Sequence, residues 1–123
     1  MKLNELPVLG ALLDAGIFAG VITQKDGTHV AVVLLLECCT KLAWGQAMEW
    51  AQKQGGVLPT SPIAAMLFAN VKASLPRGGH WTSEEDDEEA SFAWICNFYD
   101  GTQFSTRKRH EAAAVAVRLI TIE

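Results

Sequence analysis

Ala93-Trp94-Ile95-Cys96-Asn97-Phe98-Tyr99-Asp100-Gly101-Thr102-Gln103 is the stretch on which the fold turns. In an extended segment neighbouring side chains point to opposite faces. Phe92, Trp94, Cys96 and Phe98 therefore share one face, and Ser91, Ala93, Ile95 and Asn97 share the other. The aromatic face is the expected core face. Asp100-Gly101 supplies the positive φ that a tight hairpin turn requires, and residues 103–107 pair back as the second strand. Such a hairpin buries its aromatics and presents its other face and its turn to solvent, which is the geometry of a binding surface on a rigid scaffold. Asn97, Tyr99, Asp100, Thr102, Phe104, Ser105 and Arg107 are the candidate contact residues. Tyr, Ser, Asn and Arg are the residue types of adaptable paratopes.

Working outward, the chain of 123 residues fits one domain, and half of it is hydrophobic, ample for a core. The net charge is −4, but Glu84, Glu85, Asp86, Asp87, Glu88 and Glu89 are consecutive, so the remainder is net basic. The acidity is local, and general nucleic-acid binding is disfavoured. Three cysteines are an odd number, and Cys38 and Cys39 are adjacent. Neighbours on a strand face apart, so no disulfide framework is expected, and a reducing compartment is the reading. No Cys-x-x-Cys pair supports a zinc site. Residues 6–22 are apolar but follow Glu5 and are broken by Pro7, Gly10, Asp14, Gly16 and Gly20. They lack the basic start of a signal peptide and the continuity of a membrane span.

In chain order, Leu6, Leu9 and Leu13 are spaced for one face of a short helix within residues 1–15. Residues 17–22 and 30–36 read as two strands joined by a turn at Gln24-Lys25-Asp26-Gly27. The second is apolar on both faces and is expected to be central in a sheet. Residues 43–54 are helical, with Ala43, Ala47, Met48 and Ala51 as the stripe and Gly55-Gly56 as the stop. Ser61 is the expected N-cap and Pro62 the first helical residue of a second helix, residues 62–73. His80 to Ser83 follows as a short strand, the acidic run 84–89 as a loop, then the hairpin, and a closing strand over residues 114–122. Strands, two central helices and strands again describe an α+β domain.

The ordered set Trp81-Thr82-Ser83-x-Glu85, Ala93-Trp94, Phe98, Gly101 and Gln103, Lys108 and Val115-Ala116-Val117-Arg118 resembles a bacterial and phage domain family of unknown function. That family is similar to C-type-lectin-like domains of the formylglycine-generating type and to the variable proteins of phage diversity-generating elements. The resemblance extends back to about Gly20, through Trp50-Ala51 and Gly55-Gly56-Val57-Leu58-Pro59-Thr60. Val115 stands where the family has an arginine, and Ser61-Pro62 replaces another. The resemblance implies a single C-type-lectin-like domain over residues 1–123, with antiparallel hairpins and two central helices. It also implies that the hairpin carries the ligand-contacting positions.

The chemistry is weighed on the same residues. Calcium needs six to eight oxygens converging from spaced positions, which consecutive carboxylates do not give. Glu-Pro-Asn and Trp-Asn-Asp signatures are missing, so calcium-dependent sugar binding is not implied. Cys96 lies on the apolar face as a core residue, and Cys38-Cys39 does not match the cysteine pair of formylglycine-generating enzymes. Trp81 and Trp94 are expected in the core. Arg107-Lys108-Arg109-His110 is a basic cluster expected to pair with the acidic loop. The reading is a non-enzymatic protein of phage or prophage origin, without cofactor or metal. It binds a protein or cell-surface macromolecule through the hairpin 97–107. Its expected location is the host bacterial cytoplasm or the phage virion, without membrane insertion. The alternative is a phage-encoded inhibitor of a host factor, such as a defence system, with the acidic run imitating an acidic partner. An enzyme of formylglycine-generating type is the third reading.

Overall fold

Residues 30–35 are buried at every position, because both faces of the strand that holds them are covered. The computed structural model describes Met1–Glu123. Its strands are β1 (Leu12–Leu13), β2 (Gly16–Thr23), β3 (His29–Leu42), β4 (Gly79–Glu85), β5 (Phe92–Asn97), β6 (Gln103–Arg107) and β7 (Ala112–Thr121). They form one sheet in the order β1-β2-β3-β7-β4-β5-β6. Every pairing is antiparallel except β4 with β7, which is parallel. Helices α1 (Trp44–Lys53) and α2 (Ser61–Val71) fill the connection from β3 to β4.

The two helices cover opposite faces. Ile63, Ala64, Leu67 and Val71 of α2 pack with Ile17, Ala19, Val32, Leu34, Val115, Val117, Cys96 and Phe98. Ala47 and Ala51 of α1 pack with Val33, Leu35, Ala112, Ala114, Ala116, Trp81, Ala93 and Ile95. The period of two divides each strand between the two cores. On the α1 side alanine meets alanine, so the helix sits close to β7. Gly56 brings the α1–α2 connection closer still. Val57 bridges Val117, and a Cβ on Gly56 would lie 2.5 Å from the Val117 carbonyl oxygen.

This architecture corrects the expected α+β C-type-lectin-like domain. The chain is 43% strand and 22% helix, and the strands make a single mixed sheet. The two helices do stand between two groups of strands in the chain, and they lie one on each face of the sheet. Local signals identified the β2–β3 and β5–β6 hairpins but not how they join. β7 inserts between β3 and β4, a pairing across long chain separation that no local pattern encodes.

Three smaller expectations also change. Residues 1–15 form no α-helix. Leu3–Glu5 is a single 3-10 turn, and Gly10 at φ +84° turns the chain. The Gly10 amide then donates to the Phe18 carbonyl and the Phe18 amide to the Ala11 carbonyl. The N-cap of α2 is Thr60, whose Oγ1 accepts from the Ile63 amide at 3.3 Å, so Ser61 is already helical. In β5 the fully covered side chains are Ala93, Ile95 and Cys96, while Phe92 and Trp94 are half-buried. Neither aromatic belongs to the α2-side core, whereas the small Ala93 belongs to the α1-side core.

Candidate binding surface

The hairpin exists, and it ends the sheet. Residues 92–96 of β5 pair antiparallel with residues 103–107 of β6, and β6 has no neighbour on its other side. The Asn97 amide donates to the Thr102 carbonyl and the Lys108 amide to the Ser91 carbonyl, both at 2.8 Å. Antiparallel alternation then turns the backbone groups of Gln103 and Ser105 outward to the open edge.

Between the strands, residues 98–101 form a four-residue loop whose geometry is closed from several sides. The Gly101 amide donates to the Asn97 carbonyl at 2.7 Å, with Gly101 at φ +82°. Asn97 Oδ1 accepts from the Tyr99 amide at 2.8 Å, and Asp100 Oδ1 accepts from the amide and hydroxyl of Thr102 at 3.0 and 2.8 Å. The Thr102 amide and hydroxyl hold the Asp100 carboxyl below the usual carboxylate range. Phe98 is buried and anchors the loop in the core. The Gly78 carbonyl accepts both from the Phe98 amide at 2.9 Å and from His80 Nδ1 at 2.8 Å. The Gln103 side-chain amide donates to the Ser61 carbonyl at 2.9 Å, tying β6 to α2.

On this frame the expected contact residues separate. Tyr99 is at the tip and 62% exposed, with the Arg77 guanidinium over its ring at 5.2 Å. Phe104 is 45% exposed and sits opposite Ile95, on the α1 side of the sheet. Ser105 and Arg107 sit opposite Trp94 and Phe92, on the other side. Asn97, Asp100 and Thr102 spend side-chain groups on the loop itself. The tip therefore presents one aromatic with a basic partner, and Phe104 flanks it on one face only. Sequence reasoning missed Arg77, Phe68 and Lys72. Lys72 lies 4.9 Å from the Phe68 ring, and that ring abuts Gly101. Arg77 falls in a Pro-Arg-Gly-Gly loop more than twenty residues before Tyr99, so nothing local links the two.

The acidic run is mostly committed within the fold. Glu84 and Glu85 end β4 and do not belong to a loop. Glu84 Oε2 accepts from the Ser61 amide at 2.8 Å, placing a carboxylate at the positive N-terminus of α2. Glu85 pairs with Lys108 at 2.5 Å, and Lys108 also lies 4.7 Å from the Trp44 ring. Asp86 Oδ1 accepts from the Glu88 amide at 2.9 Å. That bond, with help from the Ser105 hydroxyl, holds its carboxyl low. Glu89 accepts from the Ser91 hydroxyl at 3.0 Å. Asp87 and Glu88 project into solvent without a side-chain partner.

The groups with nucleophile or base chemistry nearest the hairpin are enclosed. Burial pushes the Cys96 thiol up, with the Gln103 amide partly offsetting it. Burial pushes the His80 imidazole down. Since the Gly78 carbonyl only accepts, Nδ1 carries the proton and Nε2 is the bare nitrogen; it is buried without a partner. No three His, Cys, Asp or Glu side chains are placed to hold a metal ion. No helix is long and apolar enough to cross a membrane. A cleft of about 460 Å3 lies between the β2–β3 turn and the start of α2, lined by Lys25, Asp26, Thr60 and Glu84.

No family model matches this chain, and no curated protein matches it.

Proposed function

We propose that this protein is a non-enzymatic binding module that takes a macromolecular partner, a protein or a cell-surface polymer, on the β5–β6 hairpin. The observation that carries the reading is Tyr99, an aromatic residue 62% exposed on a loop locked from beneath. A pre-ordered Tyr offers large contact area at little cost in ordering, and Tyr and Arg are the residue types that dominate interface energetics. Arg77 stacked on the ring adds cationic character, and Phe104 extends the apolar contact along one face. The enclosure of Cys96 and His80 supports a role without catalysis. A phage or prophage source rests on the motif resemblance alone, apart from the fold it implied.

The second reading, an inhibitor that imitates an acidic partner, is supported by Asp87 and Glu88 alone, the two carboxylates left free. One experiment separates the two. A partner is captured from host lysate, and binding kinetics are measured at two salt concentrations. Tyr99→Ala and Phe104→Ala are each expected to cost about 1–2 kcal/mol in binding with the fold intact. Asp87→Asn with Glu88→Gln is expected to alter mainly the association rate and its salt dependence. Full affinity in the hairpin variants, together with its loss in the neutralised loop, defeats the first reading in favour of the second.

A further inference from the structure

The turn that joins β6 to β7 sorts its four basic side chains. The His110 amide donates to the Arg107 carbonyl at 2.9 Å, closing the turn, and the Lys108 amide donates to Ser91. Lys108 is directed to Trp44 and Glu85 and is spent there. Arg107, Arg109 and His110 are left exposed. Neither arginine makes an ion pair, although Glu89 lines the same stretch of surface. Glu84 is held by α2, Glu85 by Lys108, and Asp86 and Glu89 by their own loop, while Asp87 and Glu88 point to solvent; none pairs with Arg107 or Arg109, so both guanidiniums keep their donors.

These donors face a shallow, open depression of the surface. Phe92, Thr106, Arg107, Arg109 and His110 line a cleft of about 490 Å3. A second, of about 580 Å3, shares Phe92, Arg107 and Arg109 with it and adds Glu89, Ser91 and Lys108. The register sets Phe92 directly opposite Arg107, so a half-buried ring stands beside a free guanidinium. Two planar forks of N–H donors match the oxygens of a phosphoryl group, which a lone ammonium does only as a point charge. The Phe92 ring gives the same cleft a flat apolar wall.

From this we infer that the β6–β7 turn is a binding site for a phosphomonoester carried on a flat, apolar group, with Arg107 and Arg109 clasping the phosphoryl oxygens, His110 adding a donor and Phe92 flanking the carrier. The site stands at the opposite end of the hairpin from Tyr99 and holds whether or not the tip binds a macromolecule.

The test is an amide-shift titration of the isotope-labelled protein at constant ionic strength, with phenyl phosphate, adenosine monophosphate, inorganic phosphate and benzoate in parallel. Saturable shifts confined to residues 91–92 and 106–110 are expected, with phenyl phosphate or the nucleotide binding more tightly than inorganic phosphate or benzoate. The tighter of the first two identifies the carrier. Arg109→Ala is expected to weaken binding about tenfold, as the loss of a charge-assisted hydrogen bond does. Arg107→Lys, which keeps the charge and loses the fork, weakens it too. Glu89→Gln, which removes the one carboxylate in the cleft wall, strengthens it. Tyr99→Ala leaves it unchanged, so failure here and failure of the hairpin reading are told apart. Shifts that never saturate and spread over all basic residues, or an Arg109→Ala affinity equal to the parent's, overturn the proposal.

Discussion

The His80 imidazole lies against the Phe98 ring, with centroids 4.7 Å apart and planes inclined by 33°. Both residues also donate to the same Gly78 carbonyl, one from a side chain and one from the backbone. The contact joins the first residues of β4 to the loop that carries Tyr99. The ring packing and the shared acceptor work only while His80 is neutral, because a second N–H at Nε2 has no acceptor in its enclosure.

A pH dependence follows from that burial. The folded-state pKa of His80 lies below its ordinary 6.5, so the unfolded chain takes up the proton first. The stability it contributes is complete above pH 6.5 and is lost as pH falls below that value. The hydrogen-bonded Asp14, Asp26, Asp86 and Asp100 carboxyls lie below their ordinary 3.8, so their contributions are lost only at lower pH. Urea midpoints at pH 7.5 and pH 5 are expected to differ more in the parent than in His80→Gln. An equal drop in both removes His80 as the cause.

Of the two candidate core tryptophans, the structure favours Trp81. Trp81 has no exposed surface, and its indole N–H donates to the Leu42 carbonyl at 2.8 Å, where β3 is irregular. Trp81→Ala is expected to cost about 3–5 kcal/mol. Trp94 is half-buried, so Trp94→Ala is expected to cost about 1–2 kcal/mol. Denaturant titrations of both variants check the order, and the reverse order contradicts the packing described.

Gly101 is the one residue of the hairpin loop with a positive φ, and a Cβ there would stand 2.8 Å from the Phe68 ring. Gly101→Ala is expected to destabilise by at least about 1 kcal/mol, from backbone strain and the displaced ring together. It should also loosen the Tyr99 loop, seen as faster amide exchange at residues 98–102. Unchanged exchange with unchanged stability would show that the loop does not depend on this glycine.

The cysteines grade by accessibility. Cys38 is exposed, Cys39 partly covered and Cys96 buried, and all three are free thiols. A thiol reagent is expected to modify Cys38 fastest and Cys39 more slowly, reaching Cys96 only on unfolding, since its thiol is enclosed and its pKa raised. The denatured protein should titrate three thiols. A count of one would mean that a disulfide exists.

Much of the secondary structure was legible in the sequence because its signals are local. The hairpin at Asp100-Gly101, the helix ending at Gly55-Gly56 and the doubly apolar strand of residues 30–36 all lie within a few residues of their signals. The order of the sheet was not legible, since it depends on which strand accepts β7, some eighty residues after β3. The sorting of Phe92, Trp94, Ala93 and Ile95 also escaped the alternation. Both faces of β5 are covered over part of its length, and a two-sided strand has no single core face to read. The surface residues Tyr99 and Phe104 were legible as candidates, but Arg77 was not, because Gly78 and His80 bring it to the tip through contacts in three dimensions.

The position of β7 also sets the order of events as the polypeptide is made. The β2–β3 hairpin and the β4–β5–β6 meander leave the ribosome before it, each with an edge that β7 will cover and a half-built apolar layer. Only when residues 112–121 emerge does a single segment zip both halves together, antiparallel to one and parallel to the other. Assembly therefore waits for β7 and is rich in distant pairings, which makes it slow for a domain of this size. Until then the two nascent halves are the chain's period of greatest exposure to aggregation and to chaperones.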